Sequence, residues 1–409
     1  MRVCFVSRRF FPAISGMSVY AANLLRELVG AGHDVTMISQ YRGDPVGTGI
    51  YGGGEPPPVP GVRVIGLEQL GEQEGGDFER DIETIVDVIV GEHARKPFDI
   101  LHAQYGYPTG WAALLASRRT GVPNLVSIQG GDGHWVGSCC ETHRLAMCRV
   151  LDHAGAVLIG GESFVDEVSE RLGTSRERFT IVPGAVDANR FRPADESRVG
   201  DAGDSPRLLY HGRVDRRKGV LDFIDALHLL RREGVRFRAT ISGIGPDRDA
   251  SETHARALGF GPELRFTGYA DYDTAPALYQ DADIFSSPTY AEGFSNTILE
   301  AMGSGLAIAS CRSVGVTDCL RDGENALLTE AGDVPAHADA LARLIKNAPL
   351  RRRLAHTALS ECRATYSWEV VGRQIMRIYD RLALTRPDRD FAPDLPLTPC
   401  RFRAEPHLL

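Results

Sequence analysis

Nowhere in the 409 residues does an apolar run approach the roughly 18–20 needed to cross a bilayer. The opening segment, residues 1–7, has an apolar stretch too short for the core of an export signal and reads as a strand, so the cytoplasm is the expected compartment. A basic excess is also missing. The formal net charge is -8, which argues against nucleic acid as a partner while leaving room for a local basic pocket. Eight cysteines in a chain this long, in that compartment, read as reduced thiols rather than a disulfide framework. The run Ser242-Gly243-Ile244-Gly245-Pro246 lacks the third glycine of a dinucleotide loop, which sets a nicotinamide cofactor aside.

What is present is a globular composition, 43% apolar and 24% charged, so disorder is not the default. The length suits two domains. Short apolar runs alternate with helical patterns, which argues for βα units and parallel sheets. Strands are expected at 3–7, 34–39, 62–66, 99–103, 124–128 and 156–159. The Gly- and Pro-rich stretch 41–61 reads as a loop. A break at about 187–206, with Pro193, Gly200, Gly203 and Pro206, reads as a linker. The alternation then restarts, with strands expected at 207–210, 237–242, 264–266, 283–286 and 306–309. Val220, Phe223, Ile224, Leu227 and Leu230 follow helical spacing. The fold expected is α/β, with two Rossmann-like parallel-sheet domains facing a cleft. The first spans 1–190, the second 206–365. A closing helix at 366–383 crosses back to the first domain, and an irregular tail runs over 384–409.

The strongest chemical signal is residues 290–305, from Tyr290-Ala291-Glu292-Gly293-Phe294-Ser295-Asn296 to Gly305. It follows an expected strand. Ser295 or Asn296 is placed to cap a new helix, whose free N–H groups suit a diphosphate. Two carboxylates beside such a site, Glu292 and Glu300, make sense if they bind the hydroxyls of a sugar and a ribose. A capping Glu and a solvated helix Glu are the plain alternative. A second signal is His211-Gly212-Arg213-Val214-Asp215-Arg216-Arg217-Lys218-Gly219, again between strand and helix. A bidentate guanidinium and an ammonium at a strand's end suit a diphosphate leaving group. As a mere surface feature, cations at a helix start oppose the helix dipole. The third is Ile14-Ser15-Gly16-Met17-Ser18, where Gly16 lets backbone N–H groups face a phosphate or sugar, or simply makes a tight turn.

In this order, with Gly32-His33-Asp34-Val35, Asp99-Ile100-Leu101-His102-Ala103, Val182-Pro183-Gly184, the pair Glu292 and Glu300, Asp322–Leu328 and Ser367-Trp368, the chain resembles the retaining nucleotide-sugar glycosyltransferases of family 4, which have the GT-B fold. The resemblance implies that the donor is a nucleotide-diphosphate sugar. It implies that Arg213 and Lys218 neutralise the departing diphosphate, that Glu292 contacts the donor sugar, and that Gly293, Phe294 and Ser295 present backbone to sugar and phosphate. Glu300 would hold the ribose, and Gly16, Gly212 and Asn296 would complete the donor site. Retention at the anomeric carbon is the family expectation, with no cofactor and no required metal. The acceptor is a sugar, a lipid-linked molecule or a small metabolite.

One departure concerns the acceptor side. Where the family often has a His, the sequence reads Gln129-Gly130-Gly131-Asp132-Gly133-His134, and Gln129 cannot serve as a base at neutral pH. Asp132, His134 and His102 are the other candidate acceptor-side residues. Another GT-B activity (a phosphorylase or a sugar-nucleotide epimerase) and a non-catalytic nucleotide-sugar-binding partner subunit are the rival readings.

Three further features are set aside. Cys139, Cys140, His143 and Cys148 match no standard zinc module and read as a helix lining the acceptor side, or as packing. Asp271-Tyr272-Asp273 resembles a metal-binding D-x-D, but Asp273 reads better as a helix N-cap. The runs Arg351-Arg352-Arg353 and Arg231-Arg232 read as solvated helix faces, with a peripheral membrane contact as the alternative.

Overall fold

A parallel strand covered by helices on both faces has no wet side, so it reads as an unbroken apolar run. Arg2–Ser7 (β1) is such a run, buried at all six positions. The computed structural model describes residues 1–13, 15–194 and 205–405. In it, β1 is joined by Asp34–Tyr41 (β2), Val62–Glu68 (β3), Ile100–Gln104 (β4), Asn124–Ile128 (β5), Ala156–Ile159 (β6) and Phe179–Ile181 (β7). They form one parallel sheet in the order β3-β2-β1-β4-β5-β6-β7. A second parallel sheet takes Arg207–His211 (β8), Arg238–Ser242 (β9), Leu264–Gly268 (β10), Ile284–Ser287 (β11), Ala307–Arg312 (β12) and Leu327–Glu330 (β13). Its order is β10-β9-β8-β11-β12-β13. This is the GT-B pair of α/β domains.

The chain divides into two units, Met1–Pro183 with Val371–Leu409, and Gly184–Val370. Of the linker expected at 187–206, residues 195–204 lie outside the described residues, as do Ile14 of the first glycine loop and 406–409 of the tail.

In each sheet the first strand is central. β1 lies between β2 and β4, and β8 between β9 and β11. Loops leaving such a pair part to opposite faces, and ligands of open parallel sheets sit at that carboxyl-end switch point. The strand period of two divides the second unit's core. Leu208, Tyr210 and Ile284 pack with Phe223, Ile224 and Leu227 of the Val220–Arg232 helix. Leu209, Phe285 and Ile308 face the other way, onto Ile298, Leu299 and Met302 of the Asn296–Gly303 helix.

The Trp368–Leu382 helix enters the first unit at Val371. Val371, Ile375, Ile378 and Tyr379 are buried, and the Gln374 side chain donates to the Ile181 carbonyl at 2.8 Å. The tail continues over the same unit, burying Phe391 and Phe402.

Three local expectations are corrected. The 41–61 loop contains a helix, Pro45–Tyr51, started by Asp44, whose carboxylate accepts the Gly47 N–H. Asp273 caps nothing and instead pairs with Arg190, while Asp271 takes the Thr274 N–H at 2.7 Å. The basic runs are only partly solvated. Arg231 donates to the carbonyls of Leu258 and Gly259. Arg351 donates to those of Leu344 and Ile345, and Arg353 to that of Gly323. Among the described residues no helix is long and apolar enough to cross a membrane.

Candidate functional site

The second unit's switch point brings together the two loops singled out from sequence. The first runs from the end of β8 through Gly212 and a single helical turn, Arg216–Lys218, to the next helix. The second leaves β11 and starts the Asn296–Gly303 helix. They touch directly: the Tyr290 N–H donates to the Arg217 carbonyl at 3.1 Å. A Cβ on Gly219 would overlap the Pro288 carbonyl oxygen, and its φ of +71° suits only glycine well.

Two ion pairs result. Lys218 Nζ lies 2.8 Å from Glu292 Oε2 and also donates to the Ala291 carbonyl at 2.9 Å. Arg213 Nε lies 3.5 Å from Asp215 Oδ2. Burial pushes the Asp215 carboxyl up, but hydrogen bonds from the Arg217 side chain and backbone, with nearby guanidinium charge, bring it net below its ordinary value. Arg213 keeps 48% of its side-chain surface exposed and Lys218 keeps 32%. Their partners are less exposed, Asp215 at 4% and Glu292 at 18%, but Asp215 keeps the Arg217 guanidinium at 2.7 Å if Arg213 turns to an incoming anion.

The Asn296–Gly303 helix follows Ser295 with no side-chain hydrogen bond capping it; the Ser295 hydroxyl lies instead 3.2 Å from that of Thr297. Its first-turn N–H groups and dipole therefore favour an anion. Gly212 sits beside this end, since a Cβ there would lie 3.8 Å from Thr297 Cγ2. The Phe294 ring packs against Tyr366, at 5.7 Å between centroids. Glu300 is buried and accepts from Tyr279 Oη at 2.6 Å. Burial raises its carboxyl to about 7, against the opposing effect of the Tyr279 hydroxyl.

The glycines of residues 242–246 serve packing. A Cβ on Gly243 would overlap the Gly212 carbonyl oxygen, and one on Gly245 that of Val214. Val214 N–H donates to the Ile244 carbonyl at 2.9 Å. This turn braces the Arg213 loop from behind.

The first unit's counterpart is built differently. Gln104, at the end of β4, accepts from Ser7 Oγ at 2.8 Å. Its amide nitrogen donates to Gln129 Oε1 at 2.8 Å and to the Met17 carbonyl at 3.0 Å. Gln129 thus lies beside the Gly16 turn, where Ser15 caps the Gly16–Gly30 helix.

The other acceptor-side candidates do not face a ligand. His102 is wholly buried, with Nδ1 2.6 Å from Tyr379 Oη and Nε2 2.8 Å from Ser127 Oγ. Burial lowers it to about 3, so it is neutral. Asp132 is also wholly buried, accepting backbone N–H groups of Gly106, Gln129 and Gly130. His134 Nδ1 pairs with Glu167 at 2.9 Å, and its ring packs on Phe164. Asp132 is spent on backbone N–H groups and His134 Nδ1 on Glu167, while His134 Nε2 is buried without a hydrogen-bond partner.

Sequence reasoning missed Tyr279 and Asp215, which hold Glu300 and Arg213. Asp215 lay within a quoted motif but was overshadowed by the cations around it. Tyr279 looked like any core aromatic until β11 and its helix were placed.

The comparisons with known proteins follow this geometry. The model "Glycosyl transferase 4-like domain" matches residues 15–185, and "Glycosyl transferases group 1" matches 205–347. Glycogen synthase of Mycobacterium tuberculosis (strain CDC 1551 / Oshkosh) is 26% identical over 428 residues, covering 97% of this chain and 98% of that protein. A D-inositol 3-phosphate glycosyltransferase of Frankia alni is 27% identical over 401 residues, covering 89% and 94%. Among solved structures, sucrose-phosphate synthase from Thermosynechococcus elongatus matches with a TM-score of 0.76 at 22% identity, over 93% of this chain and 98% of that one. HepE of Anabaena, solved with UDP, matches at 0.71 and 16%, over 93% and 100%. At these identities the solved structures speak for the fold alone. The two family models together take in most of the chain, one on each switch-point unit, and the chain belongs to the group 1, family 4-like glycosyltransferases of GT-B fold.

Proposed function

We propose that this glycosyltransferase moves a sugar from a nucleotide-diphosphate donor to an acceptor hydroxyl with retention of anomeric configuration, and that the second unit binds the donor. The observation carrying this reading is the contact between the Arg213–Lys218 loop and the loop before the Asn296–Gly303 helix, made by Lys218 with Glu292 and by Tyr290 N–H with the Arg217 carbonyl, with Glu300 bonded to Tyr279 in that helix. The diphosphate takes the helix N–H groups and the two cations, which exchange their carboxylates for phosphate oxygens. Glu292, released by Lys218, is then available to the sugar hydroxyls. Glu300 and Tyr279 take the ribose.

The reaction breaks the bond between the anomeric carbon and the diphosphate oxygen. Positive charge gathers on the sugar and negative charge on the leaving group, where Arg213 and Lys218 stabilise it. The acceptor hydroxyl attacks from the face the diphosphate leaves, and its proton passes to the departing phosphate oxygen. That route needs no protein base. It accords with a first unit in which His102, Asp132 and His134 are internally bonded and Gln129 is neutral. HepE is solved with UDP and with UDP-glucose, so UDP-sugars head the donor panel, with GDP- and ADP-sugars beside them.

The test is transfer by Arg213→Ala and Glu292→Ala proteins. Turnover should drop by orders of magnitude while the thermal transition holds. Near wild-type turnover in both variants would show that the site is elsewhere. The anomeric configuration of the product, read by NMR coupling, tests retention separately.

A further inference from the structure

Cys139 and Cys140 immediately precede the Glu141–His153 helix, and His143 lies in its first turn. The turn is closed by sulfur, since Cys140 Sγ accepts the His143 N–H at 3.5 Å. The third cysteine of the sequence cluster, Cys148, points elsewhere, with its thiol 3.6 Å from the Leu172 carbonyl. Its place is taken by Cys400 from the tail. Cys139, Cys140, His143 and Cys400 each direct one ligand-type atom inward, and the four atoms all lie within 4.8 Å of one another. His143 Nδ1 is 3.1 Å from Cys139 Sγ and 3.7 Å from Cys400 Sγ.

We propose that these four side chains form a structural Cys3His zinc site that fastens the tail to the first unit. Zinc holds sulfur at about 2.3 Å and imidazole nitrogen at about 2.0–2.1 Å in a tetrahedron, which sets ligand atoms roughly 3.5–3.8 Å apart. Of the two His143 distances, 3.7 Å lies within that range and 3.1 Å just below it, and closing the remaining gaps needs shifts of about 1 Å or less. Three thiols and one imidazole are a soft set, suited to zinc and not to magnesium or calcium. On binding, each thiol gives up its proton and coordinates as thiolate; no oxidant is needed. Four protein ligands leave no open coordination position, as in structural zinc sites, and the three cysteines are partly exposed. His143 is wholly buried, its ring 4.5 Å from that of Tyr107 and 6.5 Å from that of Phe402.

The surrounding contacts give the metal its purpose. Cys400 lies between two anchors of the tail. Thr398 N–H donates to Thr142 Oγ1 at 2.9 Å, and the Arg403 guanidinium donates to Glu79 at 2.7 Å. Tyr107, packed at a tilt against His143, belongs to the turn after β4, where Gly106 N–H is held by Asp132. The metal thus ties together the tail, the Glu141–His153 helix and the scaffold beneath Gln129. This inference is independent of the donor site, and its failure would leave the transferase reading intact.

The experiment is metal analysis of the full chain, purified with reductant and without chelator. About one zinc per chain is expected. Cys400→Ser should lose zinc at least tenfold faster to a competing chelator than wild type or Cys148→Ser. It should also be cut faster by trypsin in the tail. Cobalt loading should give the intense ligand-field absorption of a tetrahedral thiolate site in wild type and in Cys148→Ser. Two results would overturn the proposal: no zinc held after zinc is supplied to reduced protein, or equal retention in Cys400→Ser. Intact mass showing a Cys400 disulfide in the freshly purified, reduced protein would also overturn it, in favour of a redox clip.

Discussion

Replacing Glu300 by Gln should stabilise the second unit while weakening the donor site. The Glu300 carboxyl is buried, and burial raises it from 4.5 to about 7. A carboxyl whose folded value is raised binds its proton more tightly in the folded state. Its cost to stability is absent below about pH 4.5, grows as pH rises toward 7, and is constant above. At about 1.4 kcal/mol per unit, the full cost is about 3 kcal/mol at pH 8, and about 1 kcal/mol at pH 5. A neutral Gln is free of it and still accepts from Tyr279 Oη, which now reaches Glu300 at 2.6 Å. For a unit of this size, at about 2–4 °C per kcal/mol, the ligand-free melt should rise on the order of 10 °C at pH 8 and much less at pH 5. Scanning calorimetry across that pH range is the assay. Donor binding moves oppositely. Losing charge-assisted bonds worth about 1.5–3 kcal/mol should weaken affinity roughly 10- to 100-fold. Wild-type affinity should itself climb between pH 6 and 8, since ribose hydroxyls favour the carboxylate. A Glu300→Gln protein that melts lower than wild type at pH 8, or by a pH-independent difference, would refute the reasoning.

Two further outcomes follow from the braces behind the site. Gly243→Ala places a Cβ on the Gly212 carbonyl oxygen at a φ of +140°; it should cost about 1–3 kcal/mol and weaken donor affinity, read by melting and titration, and an unchanged affinity would detach this turn from the Arg213 loop. Ser127→Ala strips His102 Nε2 of its partner, which should cost about 1–3 kcal/mol with donor KM unchanged; a fall in turnover at full stability would instead make His102 a working part of catalysis.

Long buried runs announced most of the fold. Asn124–Ile128 and Ala156–Ile159 appear at the expected bounds, because continuous apolar stretches between turn residues leave little choice. The strands missed, Phe179–Ile181 and Leu327–Glu330, are short edge strands whose identity comes from the neighbour they pair with. The two candidate-site loops of the second unit were legible because Gly, Arg, Lys and Glu cluster there without a helical or strand period. The acceptor-side residues were not. A His or Asp at a strand's end reads the same whether it faces solvent or the core. Only the Tyr379 and Ser127 contacts of His102, and the three N–H groups on Asp132, tell the two apart. Three members of the Cys3His cluster, Cys139, Cys140 and His143, were in view; the fourth was not, because Cys400 lies 257 residues from His143, beyond the reach of any spacing rule.

The two switch points share a topology yet differ in how exposed their side chains are, which is the ground for proposing the second as the ligand site. A recognition group must hold interactions it can give up cheaply. Arg213 and Lys218 do, being 48% and 32% exposed and paired across partly wet contacts. If Arg213 turns to a diphosphate, Asp215 is not left alone, because Arg217 stays 2.7 Å from it. His102, Gln104 and Asp132 have no exposed surface. Freeing any of them leaves buried polar atoms unpaired, at about 1–3 kcal/mol each and more for a charge. Asp132 alone would forsake three backbone N–H groups. These residues therefore fix the shape of the first unit's loops, and what those loops touch is left to the groups they display, Gln129 and the Gly16 turn.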